Sequence, residues 1–253
     1  LQYAVEEALS AGIEEIIFVT GRGKSPIEDH FDKSYELEKT LQEKGKLELL
    51  NKVKGILPSN VKVIYTRQGE ALGLGHAVYC AHSIVGDEPF AVLLADDVFK
   101  CKTPCLKQMV NAYEKTGGNH VAIMEVPIAD TAKYGVILPG SNDGKLVEVK
   151  GLVEKPKPED APSNLTISGR YILQPEIFKY LAEGRTGAGG EIQLTDAMAK
   201  LIGKQPFNGL LYEGERFDCG DKFGWLRANL TFALDRQSLK GPLTALMQDL
   251  LKK

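Results

Sequence analysis

The sequence contains no apolar run near the ~18 residues needed to cross a bilayer. Its opening residues do not pair a basic stretch with an apolar one, so no secretory leader is read there and the sequons at Asn164 and Asn229 carry no expectation of glycan. Neither charge is in surplus: 31 basic and 34 acidic residues leave a net charge of −3. That excludes the broad electrostatic footprint of a nucleic-acid binder, though not a small phosphate-bearing ligand, which needs only a few local cations. Cysteine is scarce, and Cys80, Cys101, Cys105 and Cys219 are spaced neither as a disulfide framework nor as paired zinc ligands. They are taken as ordinary thiols of a reducing cytoplasm, with no role at a membrane. Repeats, low-complexity tracts and Pro/Gly/Ser linkers are also missing. What remains is 253 residues, 43% apolar, enough to bury the core of one compact unit.

Periodicity predicts an α/β fold. Leu1, Val5, Ala8 and Leu9 recur at helical spacing and stop at Gly12; residues 15–20 then form a short β-branched run ending in Gly21-Arg-Gly23. A charged amphipathic helix is expected over 34–54, a strand over 61–66, and a helix opening at Gly73 and running to 85. A uniformly apolar strand over 90–95 ends in Asp96-Asp97. A helix over 104–115 and a strand over 121–126 continue a βαβ rhythm, the mark of a doubly wound, mostly parallel sheet. Beyond residue 130 short strands are expected at 134–138, 146–149, 151–154, 165–173 and 207–212, with helices at 175–182, 191–202, 222–236 and 242–251. The sheet is therefore expected to be mixed.

Two glycine motifs fail on spacing. The third glycine of a dinucleotide fingerprint after Gly21 falls on Pro26, and the first glycine of a P-loop ending at Gly23-Lys-Ser25 falls on Phe18. Asp96-Asp97 lies where open α/β sheets gather ligands, beyond a strand's carboxyl end. A carboxylate there suits a hard cation such as Mg²⁺, or else caps a turn. Asp218, ahead of a helix, offers a second carboxylate to such an ion or a helix cap. Gln68 and the glycines of residues 67–76 offer an amide and accessible backbone N–H groups to a base edge or phosphate, or else form a flexible loop at a helix start. Glu154 and Lys155 suit sugar hydroxyls and a phosphate, or form a surface charge pair; side-chain alternation points them to opposite faces unless the following proline bends the chain. Glu191, placed in the first turn of its helix, is either another hydroxyl acceptor or a partner of the helix dipole.

Taken in order, these segments resemble the bacterial-type UTP–glucose-1-phosphate uridylyltransferases, within the sugar nucleotidyltransferases. The stretches carrying the resemblance include Ile27-Glu-Asp-His-Phe31, Arg67-Gln68 with Gly73-Leu-Gly-His-Ala-Val78, and Leu94-Ala-Asp-Asp97. Tyr134-Gly-Val136, Val153-Glu-Lys-Pro156, Gly169-Arg-Tyr171, Gly187 through Asp196 and Asp218-Cys-Gly-Asp-Lys222 continue it across nearly the whole chain. The resemblance implies a Rossmann-like nucleotide-diphospho-sugar transferase fold in a single domain, residues 1–253. Residues 1–130 would be its nucleotide-binding part, 131–220 its sugar-binding part and 221–253 its C-terminal helices. It implies Mg²⁺-dependent conversion of UTP and glucose 1-phosphate to UDP-glucose and pyrophosphate by a homodimer or homotetramer. Asp96 and Asp218 would hold the metal, and Gln68 and Gly73 would read uracil. Gly135, Glu154 and Glu191 would contact glucose and Lys155 the sugar phosphate; Asp97, Gly190 and Lys222 would also touch substrate. The family starts with a strand and a glycine-rich loop whose Arg and Lys grip the triphosphate. Nothing before Leu1 supplies them, so these residues alone are expected to be crippled in catalysis, with a gap in the sheet. The alternatives are transfer to another base or sugar, a glycosyltransferase consuming UDP-sugar, and an inactive UDP-sugar-binding module.

Overall fold

The computed structural model describes residues 1–252. Helix α1 (Gln2–Ser10) buries Ala4, Val5 and Ala8 along one stripe and ends before Gly12, whose φ of +94° no β-carbon favours. Strand β1 (Glu15–Thr20) pairs in parallel with β2 (Lys62–Arg67), from Glu15 opposite Lys62 to Thr20 opposite Arg67. Between them lie α2 (Ser25–Phe31), α3 (Tyr35–Glu43) and α4 (Leu47–Lys54). Phe31 of α2 stacks on Phe18, which also stacks on Tyr65, at 4.8 and 5.5 Å between ring centroids. The single helix expected over 34–54 is thus two. Gly45 takes φ +63°, Lys46 N–H returns to Leu41 C=O and Gly45 N–H to Gln42 C=O, which closes α3 in a Schellman motif.

Helices α5 (Leu74–Tyr79) and α6 (His82–Val85) lead to β3 (Phe90–Leu93), β4 (Asp97–Lys100), α7 (Cys105–Thr116) and β5 (Asn119–Glu125). The hairpin β6 (Gly135–Asp143) and β7 (Leu146–Glu154) and the long β8 (Leu165–Leu173) follow. After them come α8 (Ile177–Leu181), α9 (Leu194–Ala199), β9 (Phe207–Leu211), β10 (Glu215–Asp218), α10 (Lys222–Leu234) and α11 (Gln237–Leu251).

The main sheet runs β3-β8-β5-β9-β7-β6. Strands β3, β5, β9 and β6 share one direction, the mostly parallel sense expected; β8 and β7 oppose them, so the sheet is mixed. Every residue of β8 is buried because both faces of the sheet are covered. Val121, Ile123, Ile167 and Tyr171 face α8 and α9, while Ala122 and Ile172 face α1 and α7. The doubly wound α/β reading holds.

Several boundaries differ from expectation: the helix expected over 73–85 is split into α5 and α6, and α11 begins at Gln237 and runs through Pro242. The apolar strand stops at Leu93, and Asp97 begins β4, which joins β10 in a separate antiparallel ribbon. The two short strands expected at 146–154 are one. Helix α9 starts at Leu194, leaving Glu191 in extended backbone outside it. The chain's ends also meet: the Tyr3 ring stacks on Phe232 at 4.5 Å, and Arg236 reaches the Tyr3 hydroxyl at 3.4 Å. Among the described residues no helix is long and apolar enough to cross a membrane.

Candidate functional site

The β4–β10 ribbon sets Asp97 opposite Asp218, and Cys219 N–H bonds to Asp96 C=O at 2.8 Å. Two acids far apart in sequence are thereby brought together. Asp218 Oδ1 and Asp96 Oδ2 lie 3.1 and 3.5 Å from the point a β-carbon on Gly220 would occupy. Asp218 does not cap α10. Asp221 does, accepting from Gly224 N–H at 2.8 Å, while Asp218 Oδ1 accepts from Gly220 N–H at 3.0 Å.

The neighbouring acids Asp96 and Asp97 part company. Asp96 is exposed; Asp97 is 3% exposed and faces the interior, so it does not take the substrate-contacting position expected of it. Its carboxylate abuts Gly169, where φ of +69° and the contact itself leave no room for a side chain. Arg216 Nε donates to Asp97 Oδ1 at 2.6 Å. Burial pushes the Asp97 carboxyl up to about 6, with the Arg216 guanidinium pulling the other way. Arg216 also lies over the Tyr134 ring, 5.1 Å from its centroid, and reaches Asp218 Oδ2 at 3.4 Å.

The glycine-rich loop meets the 187–193 segment backbone to backbone. Ile192 N–H bonds to Leu72 C=O and Gly75 N–H to Ile192 C=O, both at 2.8 Å. Gly73, with φ +104°, is forced to be glycine: a β-carbon there would stand 2.7 Å from Glu191 Cβ and 2.9 Å from Ile192 O. Gln68 Nε2 donates to Gly73 O at 3.0 Å and to His76 Nδ1 at 3.1 Å, which leaves Oε1 as the atom it can offer outward. Gln193 Nε2 braces the turn by donating to Ala188 O and Glu191 Oε2 at 2.9 and 3.2 Å, and Gly190 lies exposed in that turn.

Glu154 stands opposite Gly135 across the β6–β7 ladder and accepts from Thr195 Oγ1 at 2.7 Å. Lys155 has φ +45° and is the one non-glycine with positive φ among the described residues. This left-handed turn, tied by Lys155 N–H to Tyr134 C=O at 3.0 Å, undoes strand alternation. Lys155 Nζ therefore comes within 3.8 Å of Glu154 Oε1, not on the opposite face. Lys222, exposed at the start of α10, forms no ion pair among the described residues and follows the Asp218–Asp221 turn directly.

The expected residues form one connected run. Gln68 bonds to Gly73, which abuts Glu191 and Ile192; Thr195 on the following helix holds Glu154, and Lys155 joins Tyr134. Tyr134 stacks with Arg216, which reaches Asp218 beside Asp96. Among the described residues no three His, Cys, Asp or Glu side chains form a metal cage. The donor set on offer is two converging carboxylates with open surroundings. That fits a hard cation completing its shell with water and phosphate oxygens.

Sequence reasoning missed Glu7, Arg216 and Thr195 and saw in Arg170 only part of a motif. A signal existed for two of them. Arg170 is the one charged residue of its strand, and Glu7 lies on the stripe of α1 that buries Ala4 and Ala8. Arg216 and Thr195 carried none, because only the ribbon and the β7–α9 packing give them partners.

The nucleotidyl transferase family matches residues 1–230. A UTP–glucose-1-phosphate uridylyltransferase of Bacillus subtilis is 51% identical over 254 residues, covering 100% of this chain and 86% of the relative. One from Staphylococcus epidermidis is 48% identical over 250 residues, covering 99% of this chain and 86% of its own. Among solved structures, a UDP-glucose pyrophosphorylase complexed with UDP-glucose superposes with a TM-score of 0.85 at 40% identity, over 93% of this chain and 86% of that one. The UTP-bound enzyme of Acinetobacter baumannii reaches 0.89 at 39% identity, over 98% and 87%. With a family match across most of its length and relatives near half identity, the chain belongs to the nucleotidyl transferase family.

Proposed function

We propose that this protein transfers a uridylyl group from UTP to glucose 1-phosphate, giving UDP-glucose and pyrophosphate with Mg²⁺ as cofactor. The observation that carries the reading is the meeting of Asp96 and Asp218 at Gly220, one stacked Tyr134–Arg216 pair away from Lys155. Asp96 and Asp218 would hold the Mg²⁺, which would supply charge neutralisation to phosphate oxygens.

The remaining work belongs to side chains and backbone. A sugar phosphate is largely a dianion near neutral pH, so its oxygen attacks the α-phosphorus without a general base. The protein must align that oxygen with the departing pyrophosphate and offset negative charge. Lys155 is assigned to the sugar phosphate, its ammonium carried toward Glu154 by the left-handed turn. Glu154, fixed by Thr195, and Glu191 are assigned to glucose hydroxyls, with Gly135 and Gly190 giving close backbone approach. Gln68 Oε1 accepts from the uracil imide, the Gly73 region supplies backbone contacts, and Lys222 attracts phosphate. The nucleotide side then falls in residues 1–130 and the sugar side in 131–220, within one domain. We place the enzyme in the cytoplasm as a homodimer or homotetramer.

The test is pyrophosphate release by the full-length protein from glucose 1-phosphate with UTP, dTTP, CTP and GTP in parallel. UTP is expected to give the highest kcat/KM. Preference for another nucleotide overturns the substrate assignment.

A further inference from the structure

Arg170 is wholly buried in β8, where a guanidinium must have every donor satisfied. Nε lies 3.2 Å from both Glu7 carboxylate oxygens, and Nη2 donates to Glu7 Oε2 at 2.9 Å. The rest of the fork goes to main-chain carbonyls. Nη1 donates to Leu94 O and Gly169 O, both at 3.0 Å, and Nη2 to Asp97 O at 2.8 Å. The plane is packed over Phe99, 4.4 Å from the ring centroid. Glu7 Oε1 also accepts from Leu106 N–H at 2.9 Å, at the start of α7.

The two carbonyls flank Asp96, one two residues before it and one immediately after. One guanidinium therefore fixes both ends of the short turn that aims the Asp96 carboxylate, and Glu7 fixes the guanidinium. The backbone adds three ties: Asp97 N–H closes the turn onto Leu94 C=O at 3.3 Å, Cys219 N–H bonds to Asp96 C=O at 2.8 Å, and Leu94 N–H bonds to Gly169 C=O at 3.0 Å; Arg170 is the side chain that reaches both the Leu94 and Asp97 carbonyls. A lysine has the charge but no planar fork to span both carbonyls and Glu7.

We infer that Arg170, held by Glu7, is a positioning residue that sets Asp96 against Asp218 and thereby the site's affinity for a divalent cation. The inference rests on the proposed metal role of those two acids. Partners of this outer kind alter metal affinity without touching the ion.

Two variants of the full-length protein test it. Arg170→Lys keeps the charge that Glu7 faces and loses the fork. The double variant Glu7→Leu/Arg170→Met removes both buried charges while keeping bulk, so that it folds without an orphaned ion. Mn²⁺ binding is followed by electron paramagnetic resonance with UDP-glucose present, and UDP-glucose binding by calorimetry in EDTA. Both variants are expected to bind Mn²⁺ at least about tenfold more weakly, with metal-free UDP-glucose affinity unchanged. Wild-type Mn²⁺ affinity in the folded double variant overturns the positioning role, as does parallel loss of metal-free UDP-glucose binding, which marks general loosening. If the wild-type protein itself binds no Mn²⁺, the metal role of Asp96 and Asp218 fails first and takes this inference with it.

Discussion

Around Gly73 the site wall is main chain against main chain: two backbone hydrogen bonds, a positive φ and a contact too close for any β-carbon. Around Asp96 the wall is buried charge. Arg170 and Glu7 brace both ends of the turn through its carbonyls, and Arg216 holds the Asp97 carboxylate. The first region presents surfaces whose shape matters and whose charge hardly does. The second orients carboxylates by other ions, so its geometry depends on each partner keeping its charge. Volume should break one region, and charge or pH the other.

The largest effect is expected at the charged end. Asp218→Asn keeps shape and removes one of the two converging carboxylates, and kcat for pyrophosphate release should fall by about 10²–10³. Because Asp218 is partly exposed, the melting temperature should stay near that of the wild type. A kcat within a few-fold of wild type, at saturating Mg²⁺, would remove Asp218 from the machinery.

The pH dependence of stability comes next. Asp97 is raised to about 6, above the ~3.9 of an unfolded aspartate, so the native state binds the extra proton and loses stability as pH rises from about 4 to 6. His120, buried and lowered to about 4 by desolvation, runs the other way and gains stability as pH rises through the same interval. The two slopes oppose each other in the wild type. Asp97→Asn removes the opposing slope, and urea unfolding between pH 4 and 6.5 should show stability climbing more steeply than in the wild type, by about 2–3 kcal/mol more. A variant profile parallel to the wild type would show that Asp97 is not held up by burial.

Gly73→Ala tests the uncharged end. The new methyl meets Glu191 and the Ile192 carbonyl, and φ of +104° strains any residue other than glycine. A stability loss of about 1–2 kcal/mol is expected, with KM for UTP raised and Mn²⁺ affinity unchanged. Isothermal titration with Mn²⁺ checks the separation: weakened metal binding here would mean that the two ends are one mechanical unit.

The same division explains what the sequence made legible. Strands beyond residue 130 announce themselves as short β-prone stretches between turn residues, and the one expected at 165–173 is β8. The glycine loop was legible because its residue types are dictated locally, by φ and close approach. The partition of Asp96 from Asp97 was not, since two adjacent acids look alike until β10 pairs with β4 and buries one. Glu154 and Lys155 were set on opposite faces by the two-residue period of a strand, and a single left-handed residue cancelled that period. A single helix over 34–54 is expected because charged, leucine-bearing stretches flank Gly45 on both sides, yet Leu41 and Leu50, nine residues apart, would face opposite ways on one helix, and the break at Gly45 lets both be buried. The roles of Glu7 and Arg170 stayed hidden because their meeting is separated by 163 residues.

That separation also governs when the protein can become competent during synthesis. A ribosome has already released α1, β1–β5 and the Asp96 turn before Arg170 is joined, and the partner strand bearing Asp218 comes later still. Until then Glu7 is a hydrated carboxylate and Leu94 and Asp97 offer their carbonyls to water. The nascent chain must close its longest loops last, docking Tyr3 against Phe232. Such late closure leaves half-made polypeptide dependent on protection from aggregation.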